Sequence, residues 1–313
     1  MKATVVIVTK NRMLDLRCAI SSALKQTATP EVLVIDDAST DGTSEMVRSE
    51  FPEVRLDQSA HSLGCIVQRN RAASLTAADI IISLDDDAIF SSPRVVEQAV
   101  AAFGHPRVAA VAIPYMEPHK TEQMLQTAPD NQGIWVSDSF RGTSHALRRD
   151  VFLGVGGYRE QLVHFGEELD FCMRLLEKGL VVRLGQGDHI IHYESQQRDW
   201  SRINYYGRRN DILFAWHNVP AMFAPRHLIG TTINGVRWSI AAKSMAMIRG
   251  TFAGYTDLAQ LWNERAPVSV AVYRLHRQLK KQGPRLLSEI EHLLPAIPVN
   301  LRSRLDPIAS AVQ

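Results

Sequence analysis

The chain has 313 residues, 45% of them apolar and 22% charged, which supports a packed globular core and excludes low-complexity disorder. Its formal net charge is only +2, which argues against nucleic acid as the main partner. The three cysteines, Cys18, Cys65 and Cys172, form no CxxC pair, so buried thiols in a reducing, cytoplasmic compartment are expected.

Met1-Lys2 leads straight into Ala3–Thr9, a Val/Ile-rich run typical of a strand buried on both faces, and does not read as a signal peptide. Asn11 is placed to cap the next helix, in which Leu16, Ile20, Ala23 and Leu24 recur at helical spacing. Glu31–Ile35 is a second buried strand, broken by the turn-rich loop Asp36-Asp37-Ala38-Ser39-Thr40-Asp41-Gly42. Met46, Val47 and Phe51 mark a second helix, and Leu63–Ala77 a third. Ile80–Leu84 is a strand that ends in Asp85-Asp86-Asp87. Ser92-Pro93 reads as a cap and first-turn proline for a helix carrying Val96, Ala99, Val100 and Phe103. Arg107–Ile113 is a further strand. Strands alternating with helices at this spacing predict an α/β protein with a parallel sheet.

Beyond Pro114 the pattern changes. Tyr115–Gly133 is polar and reads as a long loop, Ile134–Leu147 contains strands, and Gly154, Gly156 and Gly157 mark a turn. Glu168–Lys178 is a helix ended by Gly179, and Val181–Leu184 is a strand. From Trp200 the pattern is helical, with breaks at Pro220, Pro225, Pro267 and Gly283-Pro284. Leu228–Ile248 is the most apolar window, but Asn234, Arg237 and Lys243 interrupt it, so no spanning helix is expected. From Gln196 onward 16 Lys+Arg stand against 7 Asp+Glu. This is a solvated basic surface, or one that attracts an anionic acceptor or the inner face of a membrane as a peripheral contact. Val270–Leu279 and Arg285–Leu294 read as amphipathic helices packed on the rest of the chain, with contact to anionic lipid as the alternative.

Three carboxylates abutting an apolar strand repel unless a cation sits among them. A divalent ion bridging to a phosphorylated ligand answers that need, because hard cations take oxygen donors and keep positions open for phosphate. Asp36-Asp37 ends another predicted parallel strand, and open α/β sheets bind ligands outside the carboxyl ends of their strands. Either acid could accept from a ring N–H of a base, although the string is also a plain turn and helix cap. In His164-Phe165-Gly166-Glu167-Glu168-Leu169-Asp170 the acids meet a helix dipole, or Glu168 serves as a general base. His189 and His192 compete to complete a metal site begun by carboxylates. Arg208-Arg209-Asn210, beside Tyr205 and Tyr206, offers a fork for phosphate or simply a basic helix face. P-loop, GxSxG, GxGxxG and paired CxxC motifs are absent.

Together these strings resemble the family 2 glycosyltransferases. Val5-Val6-Ile7-Val8-Thr9-Lys10-Asn11-Arg12 is similar to that family's first strand and nucleotide loop, and Val34–Thr43 to its second-strand signature. Gly64, Arg69 and Asn70 match the helix before its DxD motif, which Leu84-Asp85-Asp86-Asp87-Ala88 resembles. Gly166-Glu167-Glu168-Leu169-Asp170 is similar to its acceptor-side acidic motif. His192-Tyr193-Glu194-Ser195 and Arg209-Asn210 resemble a later segment common in rhamnosyltransferase-like members.

The likeness covers roughly the first two thirds of the chain. It implies a GT-A type, Rossmann-like nucleotide-binding sandwich with a mostly parallel central sheet, followed by a helical C-terminal region. The expected divisions are a catalytic domain over 1–215 (nucleotide-binding 1–113, acceptor-side 114–215) and helices over 216–313. The implied reaction is inverting, metal-dependent transfer from a UDP-, dTDP- or GDP-linked sugar to a hydroxyl of a glycan, lipid-linked or small-molecule acceptor, as in bacterial glycan biosynthesis. By that analogy Thr9, Asn11, Arg12, Asp36, Asp37, Arg69, Asp85 and Asp86 serve the nucleotide. Asp87 and His192 would hold Mn2+ or Mg2+, and Glu168 would be the base. Glu167, Asp170 and Arg209 would lie on the acceptor or phosphate side. Many relatives carry aspartate where this chain has Glu168, which reaches one methylene further. A nucleotidyltransferase is the first rival, but Thr9–Arg12 lacks the glycines of a triphosphate loop. A non-catalytic nucleotide-sugar-binding protein is the second, and the intact carboxylate sets argue against it.

Overall fold

The computed structural model describes residues 1–194 and 199–305. Ser195, part of the segment quoted above, lies outside them.

The buried Val/Ile runs form the expected strands. In chain order the first half is β1 (Ala3–Thr9), α1 (Met13–Leu24), β2 (Glu31–Asp36), α2 (Thr43–Glu50), β3 (Arg55–Gln58), α3 (Cys65–Leu75), β4 (Ile80–Ser83), β5 (Ala88–Phe90), α4 (Val95–Ala101) and β6 (Val108–Ala112). α1 buries Leu16, Ala19, Ile20 and Ala23 against the sheet, as its spacing requires. Asn11 does not cap it. That residue sits at φ 54°, and its Oδ1 accepts the Thr40 N–H at 2.7 Å, bracing the loop after β2. Pro93 likewise lies ahead of α4, whose cap is Arg94; the Ser92 hydroxyl accepts the Arg94 N–H at 3.1 Å.

The second half is β7 (Tyr115–Glu117), β8 (Thr121–Leu125), β9 (Trp135–Ser137), β10 (His145–Arg148), α5 (Arg149–Gly154), α6 (Glu167–Glu177), β11 (Val181–Leu184) and β12 (Ile190–His192). The segment expected to be a loop from Tyr115 is in part the antiparallel hairpin β7–β8. The helices α7 (Trp200–Asn218), α8 (Ala224–Ala241), α9 (Ala246–Gln260) and α10 (Val270–Gln282) follow. The short strand β13 (Arg285–Leu286), α11 (Leu287–Ile290) and α12 (Val299–Leu305) come last. Arg285–Leu294 is therefore not one helix. α10 turns Val272, Tyr273, Leu275 and Leu279 into the core, so its apolar face packs on the protein.

Among the described residues a nine-stranded sheet runs β13-β9-β11-β6-β10-β4-β1-β2-β3. The side that holds β4, β1, β2 and β3 is all parallel, while β10 and β9 run against the other strands and β13, antiparallel to β9, returns to the common direction, so the sheet is mixed. Apolar side chains on its two faces build separate cores, one under α1, the other under α3 and α6. Registers Thr9↔Asp36 and Val6↔Ser83 bring the carboxyl ends of β1, β2 and β4 to one edge. A smaller sheet, β5-β12-β7-β8, stands beside that edge. Among the described residues no helix is long and apolar enough to cross a membrane. Cys65 is partly buried and Cys172 buried, but Cys18 is exposed, contrary to the expected set of buried thiols.

Candidate active site

The carboxyl ends of β1, β2 and β4 and the N-terminus of α6 open on one cavity of about 820 Å3. Pairing inside the smaller sheet builds its metal-facing wall. β5 begins directly after Asp87, and the register His192↔Ala88 places the imidazole beside that carboxylate. His192 Nε2 stands 3.2 Å from Asp87 Oδ1, and Nδ1 lies 3.1 Å from Glu117 Oε1. A carboxylate can only accept, so Glu117 fixes the ring with its Nδ1–H outward and Nε2 toward Asp87. Burial works against a charged ring, but the hydrogen bond to Asp87, the charges of Asp85 and Asp87, and Glu117 outweigh it and raise the pKa of His192. Lys120 closes this chain, its ammonium 3.5 Å from Glu117 Oε2 and 2.6 Å from Glu194 Oε1. His189, the rival ligand, does not line the cavity.

Two arginines hold the triple aspartate together. Arg12 Nη1 donates to Asp86 Oδ1 and Asp87 Oδ2, each at 2.8 Å. Arg69 Nη2 donates to Asp85 Oδ1 at 2.8 Å, and its Nη1 to Glu167 Oε1 at 3.2 Å. The Thr9 hydroxyl donates to Asp86 Oδ2 at 2.8 Å. Asp86 thus turns inward, and burial pushes its pKa up to about 7 even with Arg12 beside it. Thr9, Arg12, Arg69 and Asp86 border the cavity but spend these contacts on the acid cluster.

Of the two acids after β2, the structure brings one to the site. Asp37 lines the cavity and accepts from the Ser62 hydroxyl, the Leu63 and Gly64 N–H groups and Gln68 Nε2, tying β2 to the start of α3. Burial alone would raise its pKa, and those donors hold it below the usual carboxylate value. Asp36 is sealed away from the cavity. Its carboxylate accepts from the Ser39 N–H and the Ser44 hydroxyl and so shapes the turn into α2. Asn11, engaged with Thr40, is also outside the lining.

On the opposite wall Gly166, at φ 88°, starts α6, and Glu167 and Glu168 occupy its first turn. Glu167 is buried against Arg69, and its Oε2 has no hydrogen-bond partner among the described residues; burial and the neighbouring charge of Glu168 raise its pKa. Glu168 lines the cavity next to Gly142. Asp170 faces the other way. It is 1% exposed and accepts from Arg159 Nε, Arg174 Nε and Asn218 Nδ2 at 3.0, 2.9 and 2.7 Å. Arg209 is buried too, donating to Asp257 and to the Gln161 carbonyl. Both residues are therefore structural, not acceptor or phosphate contacts. Beside Arg209, Asn210 Nδ2 donates to the carbonyls of Leu162, His164 and Phe165, and so fixes the loop that delivers Glu167 and Glu168.

Several lining residues escaped the sequence, among them Glu117, Lys120, Asp138, Arg141 and Lys280. The first two sit on a hairpin read as loop, and Lys280 arrives from a helix far along the chain. Burial raises the pKa of Asp138, partly offset by Lys280. Beneath the loop 141–144, His145 Nδ1 meets the Arg141 carbonyl at 3.0 Å and Nε2 meets the Tyr158 hydroxyl at 3.0 Å. The carbonyl requires Nδ1 to donate, so Nε2 accepts, and burial pushes the pKa down to about 3.

Asp85, Asp87 and His192 each offer one ligand atom, all within 4.8 Å of one another. Two carboxylate oxygens and a neutral imidazole nitrogen suit a divalent cation such as Mn2+ or Mg2+. An oriented imidazole backed by Glu117 is what such a ligand needs, so the residues present fit a metal. A second cavity of about 370 Å3 adjoins the first; Phe165, Leu169 and Ile203 border both.

Residues 4–159 match the family model described as glycosyl transferase family 2. The chain is 26% identical to the O-antigen chain rhamnosyltransferase WbaN of Salmonella anatum, over 76% of this chain and 88% of that protein. It is 25% identical to the O-antigen biosynthesis protein RfbC of Myxococcus xanthus, over 63% of this chain but only 18% of that longer protein. Among solved structures it resembles the mannosyltransferase PcManGT of Pyrobaculum calidifontis, determined with GDP-Man and Mn2+. That match has a TM-score of 0.57 and 18% identity, and covers 99% of this chain and 86% of the other. S. aureus TarS 1-349 matches with the same TM-score, 14% identity, and coverage of 99% and 92%. The structural likenesses establish the fold.

Proposed function

Because this chain belongs to glycosyl transferase family 2, and its fold is of the GT-A type, we propose that it moves a sugar from a nucleoside-diphosphate donor to an acceptor hydroxyl with inversion at the anomeric carbon. One observation carries the proposal: a metal-fitting trio, Asp85, Asp87 and His192, and a carboxylate at a helix start, Glu168, face a single cavity. The relatives support the substrate class. One structural neighbour was determined with GDP-Man and Mn2+, and one relative is named for rhamnosyl transfer in O-antigen assembly.

In this mechanism the nucleotide lies against the ends of β1 and β2, near Thr9 and Asp37. Asp85, Asp87 and His192 would hold Mn2+ or Mg2+, which when bound offsets the negative charge that grows on the departing diphosphate. Arg12, Lys120 and Arg202 line the same cavity and add cationic donors for phosphate oxygens. The acceptor enters from the side of α6. Glu168 takes the proton from its hydroxyl as the oxygen attacks the anomeric carbon, and the bond to the diphosphate breaks as the new one forms. A single displacement needs one base and no covalent intermediate. Arg69 links the two walls through Asp85 and Glu167, so the base and the metal-facing acids keep a fixed separation.

Glu168→Gln tests the base. Transfer should fall by about 10²–10⁴-fold, the usual worth of general-base catalysis, while calorimetry shows nucleoside diphosphate binding intact. Full activity in that variant would remove Glu168 from its role. Asp87→Ala tests the metal wall: Mn2+-dependent affinity for UDP or GDP should drop at least tenfold, and unchanged affinity would sink the assignment. NMR of the product's anomeric configuration checks the stereochemistry.

A further inference from the structure

The hairpin α8–α9 turns an apolar surface outward. On α8, Ile229, Ile233, Val236 and Ile240 follow at i, i+4, i+7 and i+11, which puts them on one helical face. They are 61, 52, 43 and 70% exposed, and Phe252 on α9 is 72% exposed. The inner sides of both helices are already occupied. Gly235 packs on Thr251, and Gly250 and Gly254 pack on α7. A continuous apolar stripe facing water marks an interaction site in a folded protein.

The charges around the stripe have one sign. Arg226, Arg237, Lys243 and Arg249 are all exposed, and the sequence carries no Asp or Glu between Asp211 and Asp257. Two copies of this face brought together would set these cations against each other. An anionic lipid surface satisfies both features at once: it takes the apolar stripe below the headgroups and pairs the cations with phosphate. The flanking cations also agree with a helix that lies in the interface plane and does not cross it. The hairpin adjoins the active-site mouth, because Trp238 and Met247 line the second cavity.

We propose that α8–α9 is the surface by which this chain seats on an anionic bilayer. The proposal rests on surface chemistry alone and does not depend on the reaction assigned above.

The test is flotation of the full chain with phosphatidylcholine vesicles, with and without phosphatidylglycerol, at low and high salt. The chain should bind the anionic vesicles and leave them as salt rises. Ile229→Ser/Ile233→Ser/Ile240→Ser should weaken binding at least tenfold with an unchanged melting temperature, because the three side chains are exposed. Arg237→Gln/Lys243→Gln should weaken it about fivefold per cation removed. Arg274→Gln/Lys281→Gln, on the basic outer side of α10, should change it far less. Three results would overturn the proposal. The first is absence of binding to either vesicle. The second is equal binding by the isoleucine variant, or loss only in the α10 variant. The third is a concentration-dependent dimer in sedimentation that the isoleucine variant abolishes while vesicles capture nothing.

Discussion

A Cβ built on Gly142 would stand 2.7 Å from Glu168 Oε1 and 3.0 Å from Arg69 Nη1. Both neighbours are ends of flexible side chains, so Gly142→Ala should fold with a melting temperature within a few degrees of wild type. The methyl would still displace the proposed base and the arginine behind it. Misplacement of a catalytic group by about 1 Å costs on the order of 100-fold in rate, so kcat should fall by that order with little change in nucleotide affinity. Equal kcat would mean that Glu168 works from another rotamer. The sequence showed that acids cluster after β2, after β4 and at the start of α6, but not which of them face the ligand. Asp36 and Asp37 are adjacent, and the last register pair of the sheet decides that only the second reaches the cavity. Asp170 was distinguishable in principle: at about 100° per residue it lies about 160° around the helix from Glu168, and it meets Arg174 at i+4. The pairing of Arg12 with Asp86 and Asp87 spans some 75 residues, and no local pattern announces it.

Among elements, α7 and α9 approach so closely that side chains are excluded. A Cβ on Gly250 would fall 2.1 Å from the Tyr205 carbonyl oxygen, a backbone atom that cannot turn aside. Gly250→Ala should therefore part the helices and cost about 1–3 kcal/mol, the usual range for overpacking, read as a lower urea midpoint. It should also slow transfer, because α7 carries Asn210, which holds the loop in front of α6. An unchanged midpoint would show that the pair can slide. The parallel strands were legible because burial on both faces leaves an unbroken apolar run. The hairpin β7–β8 was not. Thr121–Leu125 is mostly exposed and shows no apolar alternation, yet its neighbours Glu117 and Lys120 orient His192.

For the whole molecule, acid stability is a sum over buried groups. His276 is buried, its Nδ1 has no hydrogen-bond partner among the described residues, and burial together with Lys280, Arg277 and His227 pushes its pKa down to about 4. The unfolded chain binds a proton there near pH 6.5, so the folded state loses stability as pH falls from 6.5 toward 4. Asp86 and Glu167, with raised values, slope the opposite way, so the total profile hides the effect of His276. Replacing His276 with Leu isolates it. Between pH 7 and 5 the wild type should lose about 2 kcal/mol relative to His276→Leu, measured by urea denaturation at both pH values. Parallel curves for the two proteins would show that His276 titrates normally in the fold.

The nine-stranded sheet closes on β13, whose Arg285 pairs with Val136 some 150 residues earlier. Lys280, just before it, completes the cavity lining. As the polypeptide leaves the ribosome, the parallel strands that end in the aspartates emerge early and can settle together. The far wall waits for synthesis to pass residue 286. Until then β9 has an open edge, and its hydrogen-bonding groups are free to take a wrong partner. The nascent enzyme thus acquires its acidic floor long before its pocket can close around a ligand.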